Sequence, residues 1–292
     1  MRKQLIKSVE NLLDINPKTV LLLGDIGVFG FRNSFKKYPN RVYNIGILEQ
    51  STIGLAAGLS KIGLIPFVHT ISPFIVERAL EQLKIDFGYQ NLNGNFLGIG
   101  ASYDYSALGA THHCPSDISI LQNIPNMQII IPGSSSELDY LLNSNYNNGQ
   151  PTYYKLAEYE NINQVNVMVD KASIIKTGKL ATVICFGNML DSVLESTKDL
   201  DVTVLYYTTI KPFDNKILYD NFNEKIILIE QFYEGSMNYQ INKSLIDKKY
   251  SIYNIGIRHE FLDKNGSKQD IDNYLGMDTQ SIKEKIHQIC IK

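Results

Sequence analysis

The stretch RVYNIGILEQSTIGLAAGLSKIG, Arg41 to Gly63, sets one carboxylate, Glu49, inside an otherwise apolar and small-residue run. A carboxylate that loses water without gaining a partner rises in pKa until it holds a proton. A group tuned in this way can share a proton with a ligand. The same acid at the start of a helix could equally be an ordinary residue facing the helix dipole. The residues alone leave these two readings level. His112 and His113, in GATHH, are a second candidate group. They are adjacent, so their side chains diverge on a helix or a strand. They sit in a long loop, where binding residues concentrate, and an imidazole changes charge near neutrality. Asp25, in GDIG, could line a ligand interface or cap the turn that follows. Tyr103, Asp104, Tyr105 and Ser106 could shape a pocket or simply pack.

Several familiar constellations are absent from the sequence. GIGASY at Gly98 lacks the third glycine of a dinucleotide fingerprint, and LLLGDIG is not a GxxxxGK[ST] phosphate loop. Neither an HExxH pair nor a GxSxG elbow occurs. Cys114, Cys185 and Cys290 are far apart and show neither zinc spacing nor a disulfide framework, which suits a reducing cytoplasm. The chain has 292 residues, 44% apolar and 20% charged, with a net charge of −2. That length suits one large domain or two ordinary ones, and that charge disfavours a nucleic-acid partner. No segment reaches the ~20 apolar residues of a membrane span, and the N-terminus has no signal-peptide run.

The elements that must position these residues follow from periodicity. LIKSVENLLDI reads as a helix, and KTVLLLGDIG, RVYNIGI, IPFVHTI and NFLGIGAS as strands. STIGLAAGLSKIG, VERALEQLKIDFGYQ and SDISILQNI read as helices, the last with Ser116 as N-cap. MQIIIPGSSSELDYLLNS repeats strand, turn and helix. Residues around 151–172 are polar and less periodic, and read as a connection. LATVICFG, a helix to about Leu200, DVTVLYYTTI, KIILIEQF and SIKEKIHQIC then restore the rhythm. The expected fold class is α/β with two domains, the first built on a parallel sheet covered on both faces and the second a smaller α/β domain. The boundaries are 1–155 for the first domain, 156–172 for the linker and 173–292 for the second. Ligands of such sheets bind beyond the carboxyl ends of the strands, where GDIGVFG, GILEQ and ASYDYSALGATHH fall.

The combination GILEQ, GATHH, IPNM and TIKPFD, in this order, resembles the transketolase family of thiamine-diphosphate-dependent enzymes over nearly the whole chain. The resemblance implies a pyrimidine-binding domain followed by a transketolase C-terminal domain. It implies that Glu49 contacts the aminopyrimidine ring and that its shared proton favours the tautomer that activates the cofactor. It places Phe74 in the region that stacks on the pyrimidine, although a core Phe is the alternative. Ile26 lies near the family's apolar pivot, with a core Ile as the equal alternative, and Asp25 beside it could line the cofactor interface or cap the following turn. His112 falls on the histidine that faces the substrate, with His113 its neighbour.

This sequence also departs from the resemblance. Gly100, Leu108 and Glu158 stand where sugar-phosphate enzymes of the family carry a His, an Asp and a phosphate-binding Arg, and Phe29 replaces a Ser. The terminal-phosphate donors are thus lost, and Tyr103 and Tyr105 could shape a different substrate pocket. The family's GDG…N segment, which holds the diphosphate and Mg²⁺, does not occur in this sequence. The expectation is therefore the smaller subunit of a split transketolase-like enzyme, cytoplasmic, with no metal ligand of its own. It would homodimerise within an α2β2 heterotetramer whose other subunit carries the diphosphate-binding domain. It would transfer a two-carbon ketol or related acyl unit from a sugar or keto donor to an aldehyde acceptor. A β subunit of a 2-oxo acid dehydrogenase and a non-catalytic regulatory subunit are the alternatives.

Overall fold

The computed structural model describes residues 1–291. Its strands in chain order are Thr19–Leu23 (β1), Val42–Asn44 (β2), Ile65–Ile71 (β3), Gly94–Ile99 (β4), Gln128–Ile130 (β5), Pro151–Leu156 (β6), Ala172–Lys176 (β7), Thr182–Phe186 (β8), Thr203–Tyr207 (β9), Thr209–Lys211 (β10), Lys225–Tyr233 (β11) and Ser251–Ile257 (β12). The α-helices are Arg2–Ile15 (α1), Arg32–Lys37 (α2), Glu49–Lys61 (α3), Ser72–Val76 (α4), Leu80–Gln82 (α5), Asp117–Leu121 (α6), Ser135–Asn145 (α7), Leu190–Thr197 (α8), Asn215–Asn221 (α9), Asn238–Ser244 (α10), Lys268–Leu275 (α11) and Thr279–Ile291 (α12).

Two sheets result, ordered β10-β5-β6-β4-β3-β1-β2 and β12-β11-β8-β9-β7. Pairing is parallel except at β10 with β5 and β7 with β9, both at sheet edges. The continuous apolar runs explain the parallel interior. β1, β3, β4, β6, β8 and β9 are buried at every position, as strands covered on both faces must be. Alternate residues feed opposite faces. Leu21, Leu23, Val183 and Cys185 belong to one apolar cluster, and Val20, Leu22, Ile184 and Phe186 to the other. Each cluster runs through both sheets, so the two units share their cores.

Three expectations need correction. Residues 151–172 do not begin as a connection. Pro151–Leu156 is β6, fully buried between β4 and β5. Its polar Thr152 and Lys155 are satisfied inside, Lys155 by Asp117, so polarity misled the reading. Only 157–171 is irregular, apart from a bridge between Met168 and Lys171. The single helix expected over VERALEQLKIDFGYQ is interrupted after α4 and continues through α5 into a π-helical segment, Leu83–Tyr89. The interruption frees Glu77 and Arg78 for tertiary partners, Ser116 and Glu49. Ser116 does not cap α6 with its side chain, because its hydroxyl donates to Glu77 instead.

In the first sheet, β1 leads to β2 on one side while β3 lies on the other. The crevice beyond the ends of β1 and β3 is therefore a topological switch point. The segments that follow β1, β2, β3 and β4 carry Asp25, Glu49, Phe74 and Tyr105 respectively, Glu49 at the start of α3 and Phe74 in α4.

Candidate active site

Glu49 is the first residue of α3 and is only 3% exposed. Its Oε2 accepts a hydrogen bond from Arg78 Nη1 at 2.8 Å. Its Oε1 is buried and has no hydrogen-bond partner among the described residues. A buried carboxylate oxygen with no donor is costly and calls for a reason, of which a catalytic role or a bound group is one. The Arg78 guanidinium also lies over the Phe74 ring, 4.1 Å from its centroid. A planar N–H donor thus stacks on Phe74 and donates to Glu49. These are the two contacts that an aminopyrimidine would make, so the residues present fit that group.

Phe74 continues the row. It is half-buried, and its ring meets His112 edge-on, with centroids 5.4 Å apart. His112 Nδ1 is 2.9 Å from the Thr111 hydroxyl. Tyr105 approaches the other side of His112 at 6.4 Å. The Tyr105 hydroxyl accepts from Arg2, which also pairs with Glu158 at 3.4 Å. Glu49, Arg78, Phe74, His112, Tyr105 and Arg2 therefore form one continuous line of side chains drawn from separate segments of the chain.

Gly100 explains where Tyr105 lies. Its φ is +72°, and a Cβ there would fall 2.4 Å from Tyr105 Cε2. Any side chain at Gly100, including the His that the resemblance leads one to expect, would collide with the Tyr105 ring. Beneath, the buried Asp104 carboxylate accepts from the Glu158 amide at 2.8 Å. Burial pushes its pKa up to about 7.

The other candidates are placed as follows. Asp25 has a left-handed φ of +60° and is exposed. It exchanges hydrogen bonds with Asn44, its amide donating to Asn44 Oδ1 and its Oδ1 accepting from Asn44 Nδ2, both at 3.0 Å. Ile26 is half-buried and packs on the core. Under this loop, His69 is fully enclosed, bonded through Nδ1 to the Leu97 carbonyl, and burial depresses its pKa to about 4. His113 is buried, and neither ring nitrogen has a partner among the described residues. Tyr103 does not join the row. It is 1% exposed, and its hydroxyl donates to Asp272 at 2.6 Å.

Sequence reasoning missed Arg78 and Arg2. Arg78 stands four residues after Phe74, a spacing that could have suggested a shared face. Arg2 lies 103 positions from Tyr105, and no local signal connects them.

The loop carrying His112 is tied down at its far end. The Asp117 side chain is 0% exposed, and its two oxygens accept from Lys155 Nζ at 2.8 and 2.7 Å. Tyr153 donates to it as well, at 3.0 Å.

Residues 1–158 match the transketolase pyrimidine-binding domain. An uncharacterised 33.6 kDa protein of the fasciation locus of Rhodococcoides fascians is 35% identical, over 96% of this chain and 91% of its own. A subunit of the apulose-4-phosphate transketolase of Actinobacillus succinogenes is 27% identical, over 75% of this chain and 73% of its own. Among solved structures, a split-gene transketolase described as an inactive β4 tetramer superposes with a TM-score of 0.87. It covers 99% of this chain and 97% of its own at 22% identity, which establishes the shared fold. Fold and family match together define an α/β protein built on a transketolase-type pyrimidine-binding domain. The chain belongs to the transketolase family, as its C-terminal section, and carries the family's pyrimidine-binding domain.

Proposed function

We propose that this chain is the smaller subunit of a two-chain transketolase-like enzyme that moves a two-carbon ketol or related acyl unit from a keto donor to an aldehyde acceptor. The observation that carries the reading is the buried, unengaged Oε1 of Glu49, whose other oxygen is held by the Arg78 guanidinium that lies over the Phe74 ring. When bound, thiamine diphosphate supplies the nucleophilic carbon that adds to the donor carbonyl. Glu49 Oε1 is the acceptor for a ring N–H, and enclosure strengthens that hydrogen bond. Arg78 orients the carboxylate from its other oxygen. Phe74 offers the stacking surface, and the family resemblance assigns Asp25 and Ile26, in the loop after β1, to the cofactor interface. His112, which contacts Thr111, Phe74 and Tyr105, is assigned the exchange of protons with the substrate's oxygens. The diphosphate and Mg²⁺ are assigned to a partner chain with the GDG…N segment. The apulose-4-phosphate transketolase relative, itself one subunit of an enzyme, supports a two-chain assembly.

The acceptor is not an ordinary pentose phosphate. Arg2 is the cation at the Tyr105 end of the row, and it is already engaged by Tyr105 and Glu158. A terminal phosphate there would have to displace Glu158 and face its charge. The test is to co-purify this chain with a diphosphate-domain chain, add thiamine diphosphate and Mg²⁺, and identify transfer products by mass across keto donors and aldehydes. Two-carbon transfer to at least one acceptor is expected, with xylulose 5-phosphate and ribose 5-phosphate used poorly. Absence of transfer with every donor, or efficient turnover of that pentose-phosphate pair, overturns the corresponding part of the reading.

A further inference from the structure

The second sheet repeats the topology that creates the first site. β8 leads through α8 to β9 on one side, whereas β11 lies on the other side of β8. The ends of β8 and β11 therefore flank a second topological switch point, the place where open α/β sheets bind ligands. A cavity of ≈ 550 Å³ lies there, walled by Asn188 and Met189 after β8 and by Gln231 in β11. Small-molecule sites span about 300–1,000 Å³. The cavity also meets the first turns of three helices, at Asp191 of α8, Lys268 of α11 and Thr279 of α12.

Helix starts alone do not make a site, but Gln231 supplies an independent observation. It is 5% exposed and lines the cavity. Its backbone carbonyl is engaged by Ser102, yet among the described residues its side-chain amide has no hydrogen-bond partner. The amide carries two donors and an acceptor, and it lines the cavity without a bond to the other described residues. The cavity is where those bonds can be made.

Charge decides what makes them. Glu160, Asp191, Asp272 and Asp278 line the cavity against one cation, Lys268, which is already paired with Asp272 at 2.6 Å. A phosphate or carboxylate would meet net negative charge despite the helix starts. The carboxylates do have donors of their own. Asp191 accepts from the Ile162 and Asn163 amides, Asp278 from Ser281, and Asp272 from Tyr103. Their remaining lone pairs suit hydroxyl donors, and the Gln231 and Asn188 amides can both give and accept. At the rim, Tyr159 is 55% exposed and offers a flat apolar face.

The geometry points to a binding site for a neutral, hydroxyl-rich small molecule of the free-sugar or polyol class at the β8/β11 switch point. This assignment is independent of the proposed catalytic activity. The two sites are nonetheless neighbours along the chain, because Tyr103 walls this cavity and lies two residues before Tyr105 of the candidate active site.

The test is calorimetric titration of the full chain with D-xylose, D-ribose, D-glucose and ribitol, and with ribose 5-phosphate as the anionic comparison. At least one neutral compound should bind saturably, and more tightly than ribose 5-phosphate. Gln231→Leu, which keeps the volume and removes the amide, should weaken binding about tenfold or more, whereas His112→Ala should leave it unchanged. Asn188→Ala, at a half-buried position, should also weaken binding and carries the test if the Leu variant fails to fold. The proposal is overturned if no neutral compound binds, or if ribose 5-phosphate binds more tightly. It is equally overturned if binding is lost in His112→Ala but retained in folded Gln231→Leu and Asn188→Ala.

Discussion

At the scale of single residues, Glu49 is defined by the asymmetry of its two oxygens, one held by Arg78 and one without a donor among the described residues. Replacing the carboxylate by an amide keeps the shape but removes the proton-sharing acceptor. Glu49→Gln in the assembled enzyme should lower turnover by roughly 10²-fold or more, the scale of a lost acid–base group, with the fold retained. Steady-state kinetics and circular dichroism on the same preparation check this, and near-normal turnover would remove Glu49 from the mechanism. Other buried acids have a different consequence. Burial raises Asp104 and Glu230 to about 7, well above their unfolded values. Each therefore holds more protons folded than unfolded between about pH 4 and 7, so its contribution to stability falls as pH rises through that window. His69, depressed to about 4, acts in the opposite sense: its contribution is lost as pH falls from about 6.5 toward 4. Asp104→Asn and Glu230→Gln should each gain stability relative to the parent as pH increases from about 4 to 7. Urea denaturation across that range measures it, and a pH-independent difference would show that the carboxyls are not titrating there.

At the scale of elements, the buried Lys155–Asp117 pair joins β6 to the start of α6, immediately after the loop that carries His112. Neither group has access to water, so losing one leaves the other charged and alone. Lys155→Ala should cost about 3–5 kcal/mol in urea denaturation. The double variant Lys155→Met with Asp117→Leu should recover much of that loss, because well-packed apolar groups can replace such a pair at little cost. A loss in Lys155→Ala that is below ~1 kcal/mol, or a double variant no better than the single one, would show that the pair does not anchor the loop. The interruption between α4 and α5 works at the same scale, since it lets Arg78 and Glu77 turn toward separate partners.

At the scale of the whole molecule, this chain presents one wall of the proposed cofactor site. α3 buries Thr52, Ile53, Ala56 and Ala57, while Leu55 stays exposed and an added Cβ at Gly58 would meet nothing within 4 Å. Ile47 and Leu48, just before Glu49, are exposed at 66% and 57%. An apolar surface adjoining a half-built site suits a permanent subunit interface. The isolated chain should bind thiamine diphosphate weakly and show no activity, because the cofactor's charge lies on a diphosphate that needs a metal and backbone donors. Adding the diphosphate-domain chain should restore binding and turnover. Calorimetry with thiamine diphosphate and Mg²⁺ checks this, and tight magnesium-dependent binding by the chain alone would refute it.

The amino-acid sequence by itself determined the α/β class, the positions of most of the buried strands and the motif around Glu49. These depend on runs of neighbouring residues, and neighbours are what periodicity reports. β6 escaped because Thr152 and Lys155 look solvent-facing until Gln128 and Asp117, 24 and 38 positions away, satisfy them. The π-helical turn escaped because its apolar spacing is close to that of an α-helix. Only the tertiary structure brought Arg78 onto Phe74 and Glu49, set Tyr105 against Gly100, and carried Arg2 across to Glu158. It also turned Tyr103 away from the residues with which it was grouped, toward Asp272. Those contacts join segments up to 169 positions apart, and their geometry follows from strand order and shared packing, which no local pattern encodes.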